Sequence, residues 1–215
     1  MRLAIAVAFT LVVGTAPFAG GQTPSRPPSQ PPRGLATEAI AGEAVALLPL
    51  TLVVTDPAVR ADSALTILGD RRHLLLWADS VISEEFETRA PEVKWVSAPR
   101  LRQMAHRNPG MVPDPDQMGQ AILRSPKLSK VPDPLRGSLR NLTAITGGRY
   151  AMVPAAMGLS RDPGGGFRAD LSLALADSRS GAVLWRSATY GSGAAPGDAI
   201  AAAIAAILPP PTTGP

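Results

Sequence analysis

Phe167 to Asp177 reads FRADLSLALAD, with Phe, Ala, Leu, Leu, Leu and Asp at the odd positions and Arg, Asp, Ser, Ala and Ala at the even ones. Successive side chains of a strand point to opposite faces, so this period of two predicts a strand with its odd face buried. Asp177-Ser178-Arg179-Ser180-Gly181 follows. Asp bonds the amides of a turn and Gly accepts positive φ, so the chain reverses there. Ala182 to Tyr190 returns as the partner strand. A chain holding such a hairpin must build a sheet and find a layer to cover its apolar face.

The segments before the hairpin supply that layer. Ala44 to Val54, AVALLPLTLVV, is apolar without alternation, as expected of a strand covered on both faces. Pro49 cannot donate a ladder bond, so this strand bends there or splits in two. Asp56-Pro57 ends it. His73 to Phe86 places Leu74, Leu75, Ala78, Val81, Ile82 and Phe86 at helical spacing, with Asp70 as N-cap and Pro91 as stop. Val93 to Val96 is a short strand. A helix opens at Ser97 or Ala98 and ends at Asn108-Pro109-Gly110. A proline-rich loop follows, then a helical turn or two over Asp116 to Leu123.

Asp133-Pro134 starts a further helix, with Asp at the N-cap and Pro at the first helical position, which runs to Gly147-Gly148. Arg149 to Pro154 is a strand, and Ala199 to Leu208 is a final Ala/Ile helix opened by Gly197-Asp198. The expected fold class is α/β: a single mixed β-sheet of about five strands packed with helices, ending in an antiparallel hairpin and a C-terminal helix. Helices between the early strands favour parallel pairing there, and the last strands form an antiparallel meander.

Both ends of the chain have other work. Arg2, the apolar run Leu3 to Val13 broken only by Thr10, and Ala19-Gly20-Gly21 have the layout of a secretory signal, residues 1–21, with cleavage before Gln22. The run is about half of the roughly 20 residues a membrane span needs. The alternative is an uncleaved N-terminal anchor. Residues 22–34 form a Pro-rich disordered linker, residues 35–208 a single domain, and residues 209–215 a Pro-rich disordered tail. The expected location is periplasmic or secreted, with no transmembrane span once the signal is removed. The chain has no cysteine. A lipid-bearing cysteine, disulfides and thiol metal sites are therefore excluded.

Three elements carry a family resemblance: Leu47-Leu48-Pro49 on the first strand, Gly148-Arg149-Tyr150-Ala151-Met152-Val153 after a helix, and Asp177-x-x-Ser180-Gly181 followed by Val183-Leu184-Trp185. Together they resemble bacterial envelope α/β domains. These are the curli-secretion lipoprotein, the amino-terminal domain of the Tol-system propeller protein, and the lipoprotein activators of penicillin-binding proteins. The resemblance implies a fold and an envelope setting, and it transfers no site residue.

The chemistry-bearing residues make no catalytic site and call for no cofactor. His73 and His106, the two histidines, have no metal-ligand spacing. Asp114-Pro115-Asp116 begins like a Ca²⁺ loop but lacks the later ligands, and Gly164-Gly165-Gly166 lacks the Lys of a phosphate loop. Gly158-Leu159-Ser160-Arg161-Asp162 fails the nucleophile pattern at its last position. Glu84, Glu85 and Glu87 read as a solvated helix face. Trp77, Trp95 and Trp185 read as core, with Trp77 the one that leaves a flank for a partner surface or a second core layer.

The net charge of +4 is too modest to argue for nucleic acid. Its distribution is informative. From Ala98 to Arg140 stand Arg100, Arg102, Arg107, Arg124, Lys127, Lys130, Arg136 and Arg140 against Asp114, Asp116 and Asp133, while acids outnumber bases from Leu35 to Glu92. Those eight are the candidate partner surface. The partner is an envelope protein or an anionic cell-wall or membrane surface. The function expected is a non-enzymatic periplasmic binding or accessory module of the cell envelope. The alternatives are a secreted hydrolase whose site is assembled from distant residues, or a subunit of a larger envelope assembly.

Overall fold

A computed structural model describes residues 32–61 and 70–208. The signal, nearly all of the linker and the tail lie outside the described residues. The strands are β1 (Ala44–Leu47), β2 (Val53–Thr55), β3 (Lys94–Val96), β4 (Tyr150–Arg161), β5 (Phe167–Asp177) and β6 (Val183–Gly193). The helices are α1 (Pro57–Arg60), α2 (Arg71–Arg89), α3 (Ala98–Arg107), α4 (Leu135–Ile145) and α5 (Pro196–Ala205), with short 3₁₀ turns at Thr37–Ile40, Pro115–Gln117 and Gln120–Arg124.

The fold is α/β with one mixed sheet ordered β3-β1-β4-β5-β6, and β2 also pairs with β4. β1 runs parallel to β3 and to β4, and β2 runs parallel to β4; β4-β5-β6 is an antiparallel meander. There are six strands rather than about five because Pro49 divides the first apolar run. β1 pairs with Tyr150–Met152 and β2 resumes further along the same neighbour, at Met157–Leu159.

Period two sorts the side chains of this sheet into two cores. Val45, Leu47, Met152, Leu173, Leu175 and Trp185 face α2 and α5, where Ile82, Phe86, Ile200 and Ile204 meet them. Ala46, Leu48, Ala151, Val153, Ala174 and Ala176 face α3 and α4, where Leu101, Leu139 and Leu142 meet them. The odd face of β5 is buried throughout, and its even face is buried only towards Ala174 and Ala176.

The hairpin turn is as expected. Gly181 has φ +73° and its N–H donates to the Asp177 carbonyl at 2.8 Å. The Asp177 carboxylate accepts from the Arg179 N–H at 2.9 Å and the Ser180 hydroxyl at 2.8 Å. Asp70 caps α2 through the His73 N–H at 2.8 Å.

Three sequence readings are corrected. Asp133 is not a helix N-cap: its peptide bond to Pro134 is cis, and α4 starts one residue later behind Pro134. The strand read as Arg149 to Pro154 continues to Arg161, because the register shifts between Pro154 and Ala156 and spares Pro154 the ladder bond it cannot make. The last helix lies at Pro196–Ala205, opened by Pro196 with the Asp198 carboxylate accepting from the Ala195 N–H at 3.0 Å. The chain already docks just ahead of Leu35. The Arg33 N–H donates to the Ser187 hydroxyl at 3.1 Å and the Trp185 indole donates to the Gly34 carbonyl at 2.9 Å.

Candidate functional site

The basic segment becomes a layer. α3, the turn Gln120–Arg124 and α4 all bury their apolar residues in the core on one side of the sheet. Leu101 and Ala105 point inward from α3, and Leu135, Leu139 and Leu142 from α4. Arg100, Arg107 and Arg140 fall on the opposite faces of these helices and are exposed. Arg124, Lys127 and Lys130 are exposed on the stretch between them. Arg136 is half exposed, 3.5 Å from Asp133. The other side of the sheet is covered by α2, which exposes Arg71, Arg72, Glu84 and Glu87, and by α5.

Arg102 is the exception among the eight. It turns inward between α2 and the loop at Asp114. Its Nε and Nη2 bond the Asp116 carboxylate at 2.8 and 2.7 Å, and Nη2 also donates to Asp79. Asp79 is 1% exposed and accepts the Leu50 N–H at 2.7 Å, just past the break at Pro49. Burial pushes the Asp79 carboxyl up to about 6, against the Leu50 N–H and Arg102, which pull it down. It is therefore ionised at neutral pH. Burial also opposes the charge on Arg102, but its two carboxylates outweigh that and hold the guanidinium above its ordinary range.

Gln120 completes the anchor. It is fully buried, and its amide donates to the Pro49 carbonyl at 3.1 Å and the Pro115 carbonyl at 2.8 Å. Thus α2, the β1–β2 break, α3 and the 114–120 loop are fastened at one point. Open clefts flank the loop. One of about 430 Å³ is lined by Arg102, Ala105, His106, Val112 and Asp114–Asp116. The other, about 530 Å³, lies beside Leu50, Arg71, Arg72, Leu76 and Gln117.

Sequence reasoning missed Asp79 and Gln120. Asp79 had a signal: it sits between Leu75 and Ile82 on the apolar face of its own helix. Gln120 had none.

The remaining candidates are scattered. His73 and His106 are exposed on α2 and α3. Asp114 caps its turn through the Asp116 N–H at 3.0 Å. Ser160 lies in regular pairing opposite Arg168 within β4–β5, and Gly164–Gly166 joins those strands. Glu85 pairs with Arg89 at 2.6 Å. Trp95 stacks edge-on against Phe86 with ring centres 4.9 Å apart, Trp185 is 7% exposed, and Trp77 packs half-buried near Gly197. Among the described residues no helix is long and apolar enough to cross a membrane.

No protein-family model matches the chain, and no curated protein matches it. Solved structures of similar fold include the LpoB C-terminal domain from Escherichia coli (15% identity, TM-score 0.34, covering 72% of this chain and 85% of that one). The PelC dodecamer from Paraburkholderia phytofirmans has 13% identity and TM-score 0.38, covering 84% of this chain and 93% of that one. A lipoprotein from Neisseria meningitidis has 14% identity and TM-score 0.36, covering 70% and 81%. LpoB, a lipoprotein activator of a penicillin-binding protein, belongs to the group named from the sequence. The agreement is one of fold, and no site residue is carried over.

Proposed function

We propose that this chain is an exported, non-catalytic accessory module that presents its α3–α4 layer to an anionic surface of the bacterial envelope. One observation carries the reading. The basic stretch of the sequence becomes one side of the sheet, because α3, the turn Gln120–Arg124 and α4 all bury their apolar residues in the same core and leave these charges outward. Arg100, Arg107, Arg124, Lys127, Lys130, Arg136 and Arg140 form the contacting set, and Arg102 positions the loop among them through Asp79 and Asp116. Planar guanidinium groups suit phosphate and carboxylate acceptors, which both lipid headgroups and wall polymers offer. Side chains on a rigid layer also lose less freedom on binding than those on a loose tail.

Binding to anionic phospholipid vesicles, and in a parallel arm to isolated anionic wall polymer, measures this. It should weaken as salt rises past about 0.15 M, where screening acts within about 8 Å. The combined change Arg100→Gln, Arg107→Gln, Arg124→Gln and Arg140→Gln should weaken it at least tenfold, roughly 1.4 kcal/mol. Salt-independent binding, or none to either surface, would sink the proposal.

A further inference from the structure

The chain parts at the carboxyl end of β1. The connection from β1 to β3 passes through α2 on one side of the sheet, and the connection from β3 to β4 passes through α3 and α4 on the other. Between parallel neighbours whose connections divide in this way, a crevice opens outside the carboxyl ends of the strands. Open α/β sheets hold their ligands in that crevice. The cleft of about 530 Å³ occupies this place. It is bounded by Leu50 and Thr51 just past β1, by the first two turns of α2 and by the loop at Asp114–Gln117. Its volume is that of a small-molecule site.

Three guanidinium groups meet two carboxylates there. Both acids are already engaged. Asp116 accepts from Nε and Nη2 of Arg102, and Asp114 accepts from the Asp116 N–H and from the Gln117 amide at 3.1 Å. The cations are not used up. Arg102 Nη1 has no acceptor among the described residues, and it is not one of the sealed polar atoms, so it opens to solvent at the cleft. The other edge of that guanidinium is clamped by Asp79 and Asp116, so the open N–H pair is held in place before any ligand arrives. Arg71 and Arg72 are exposed on the first turn of α2. Arg71 rests Nη2 on the Thr51 carbonyl at 2.7 Å, and among the described residues no carboxylate pairs with either. Beside them Leu75 and Leu76 line the same cleft, and Leu76 is 39% exposed. The neighbouring cleft sets Arg102 and His106 against the same two acids and has no such excess of arginine.

We propose that the cleft between α2 and the 114–117 loop binds a small phosphate monoester, with its phosphate on Arg71, Arg72 and Arg102 and its apolar body against Leu75 and Leu76. The terminal oxygens of a phosphate monoester can each accept from a guanidinium, and its double negative charge answers the surplus arginines better than a carboxylate does. Leu75 and Leu76 offer apolar surface that inorganic phosphate would leave unused. None of the seven residues assigned to the envelope-facing layer lines this cleft, so the site stands or falls apart from that surface.

Titration of the isotope-labelled protein with phenyl phosphate, followed by NMR in a phosphate-free buffer, tests the site. The amides of Arg71, Arg72, Leu75, Leu76 and the 114–117 loop should shift together and saturate with a Kd below about 1 mM. Inorganic phosphate, which lacks the ring, and benzoate, which lacks the second charge, should each bind at least about fivefold more weakly. Arg72→Gln alters an exposed side chain and should weaken phenyl phosphate at least about fivefold, with the rest of the spectrum unchanged. Arg107→Gln, on the basic layer, should leave the affinity as it is. Four results would overturn the inference: no saturable shift up to about 10 mM, equal affinity in Arg72→Gln, benzoate binding as tightly as phenyl phosphate, or shifts confined to the α3–α4 layer around Arg100, Arg107 and Arg140.

Discussion

Asp79 and Asp177 are both nearly sealed from solvent, and their surroundings drive them in opposite directions. Asp177 is 2% exposed and is held well below the usual carboxylate range by the Arg149 guanidinium at 2.5 Å, with the Ser180 hydroxyl and the turn amides adding to it. Its stabilising contribution is present above the unfolded value near 3.9 and is lost as pH falls through the folded one. Asp79 is raised to about 6 by burial. Its contribution is complete below about 3.9 and is lost as pH rises through about 6, so between pH 5 and 7 this group makes the fold less stable. Urea midpoints at those two pH values should therefore fall with rising pH, and Asp79→Asn should flatten the trend. An unchanged slope in the variant would place the titration elsewhere.

Two glycines show how differently a turn and a packed strand hold the chain. Gly181 needs positive φ, and a Cβ there would fall 2.6 Å from the Arg136 Cδ, the far part of a flexible side chain that can swing away. Gly181→Ala should cost about 1 kcal/mol, mainly from backbone conformation. Gly191 on β6 has no positive φ, but a Cβ there would fall 2.2 Å from the Ala203 amide nitrogen of α5, which is backbone. Gly191→Ala must push the helix off the sheet and should cost more, about 1–3 kcal/mol. Denaturation of the two variants side by side checks the order, and equal losses would mean that α5 yields freely. The elements themselves were readable to different degrees. The β5 bounds match its alternation, and the α2 cap matches Asp70. The second half of β4 was hidden because Pro154 ends a strand unless the partner shifts register to accommodate it, and that partner is remote in sequence.

At the scale of the whole molecule, a two-sided sheet gathers the basic segment into one helix layer, while the layer opposite balances Arg71, Arg72 and Arg89 against Glu84, Glu85 and Glu87. The proposed export of this module has its own test. The intact mass of protein recovered from the periplasm of an expressing bacterium should correspond to a chain beginning near Gln22, and full-length chain in the membrane fraction would mean an anchor instead.

Local order follows from short-range physics, and the sequence by itself determined it: period-two burial in Phe167–Asp177, the turn at Gly181, the break at Pro49, and the parallel-then-antiparallel order of strands. The concentration of basic residues between Ala98 and Arg140 was likewise plain. Which of them face solvent was not. Arg102 was one basic residue among eight until α2 brought Asp79 to it across 23 positions of sequence. Asp79 is buried and would be left without a counter-charge if Arg102 turned outward, and Asp116 closes on the same guanidinium from the loop, so the two together withdraw that residue from the surface. Only the tertiary structure could decide this, because the partner of a buried charge is set by the packing of remote elements and leaves no local pattern.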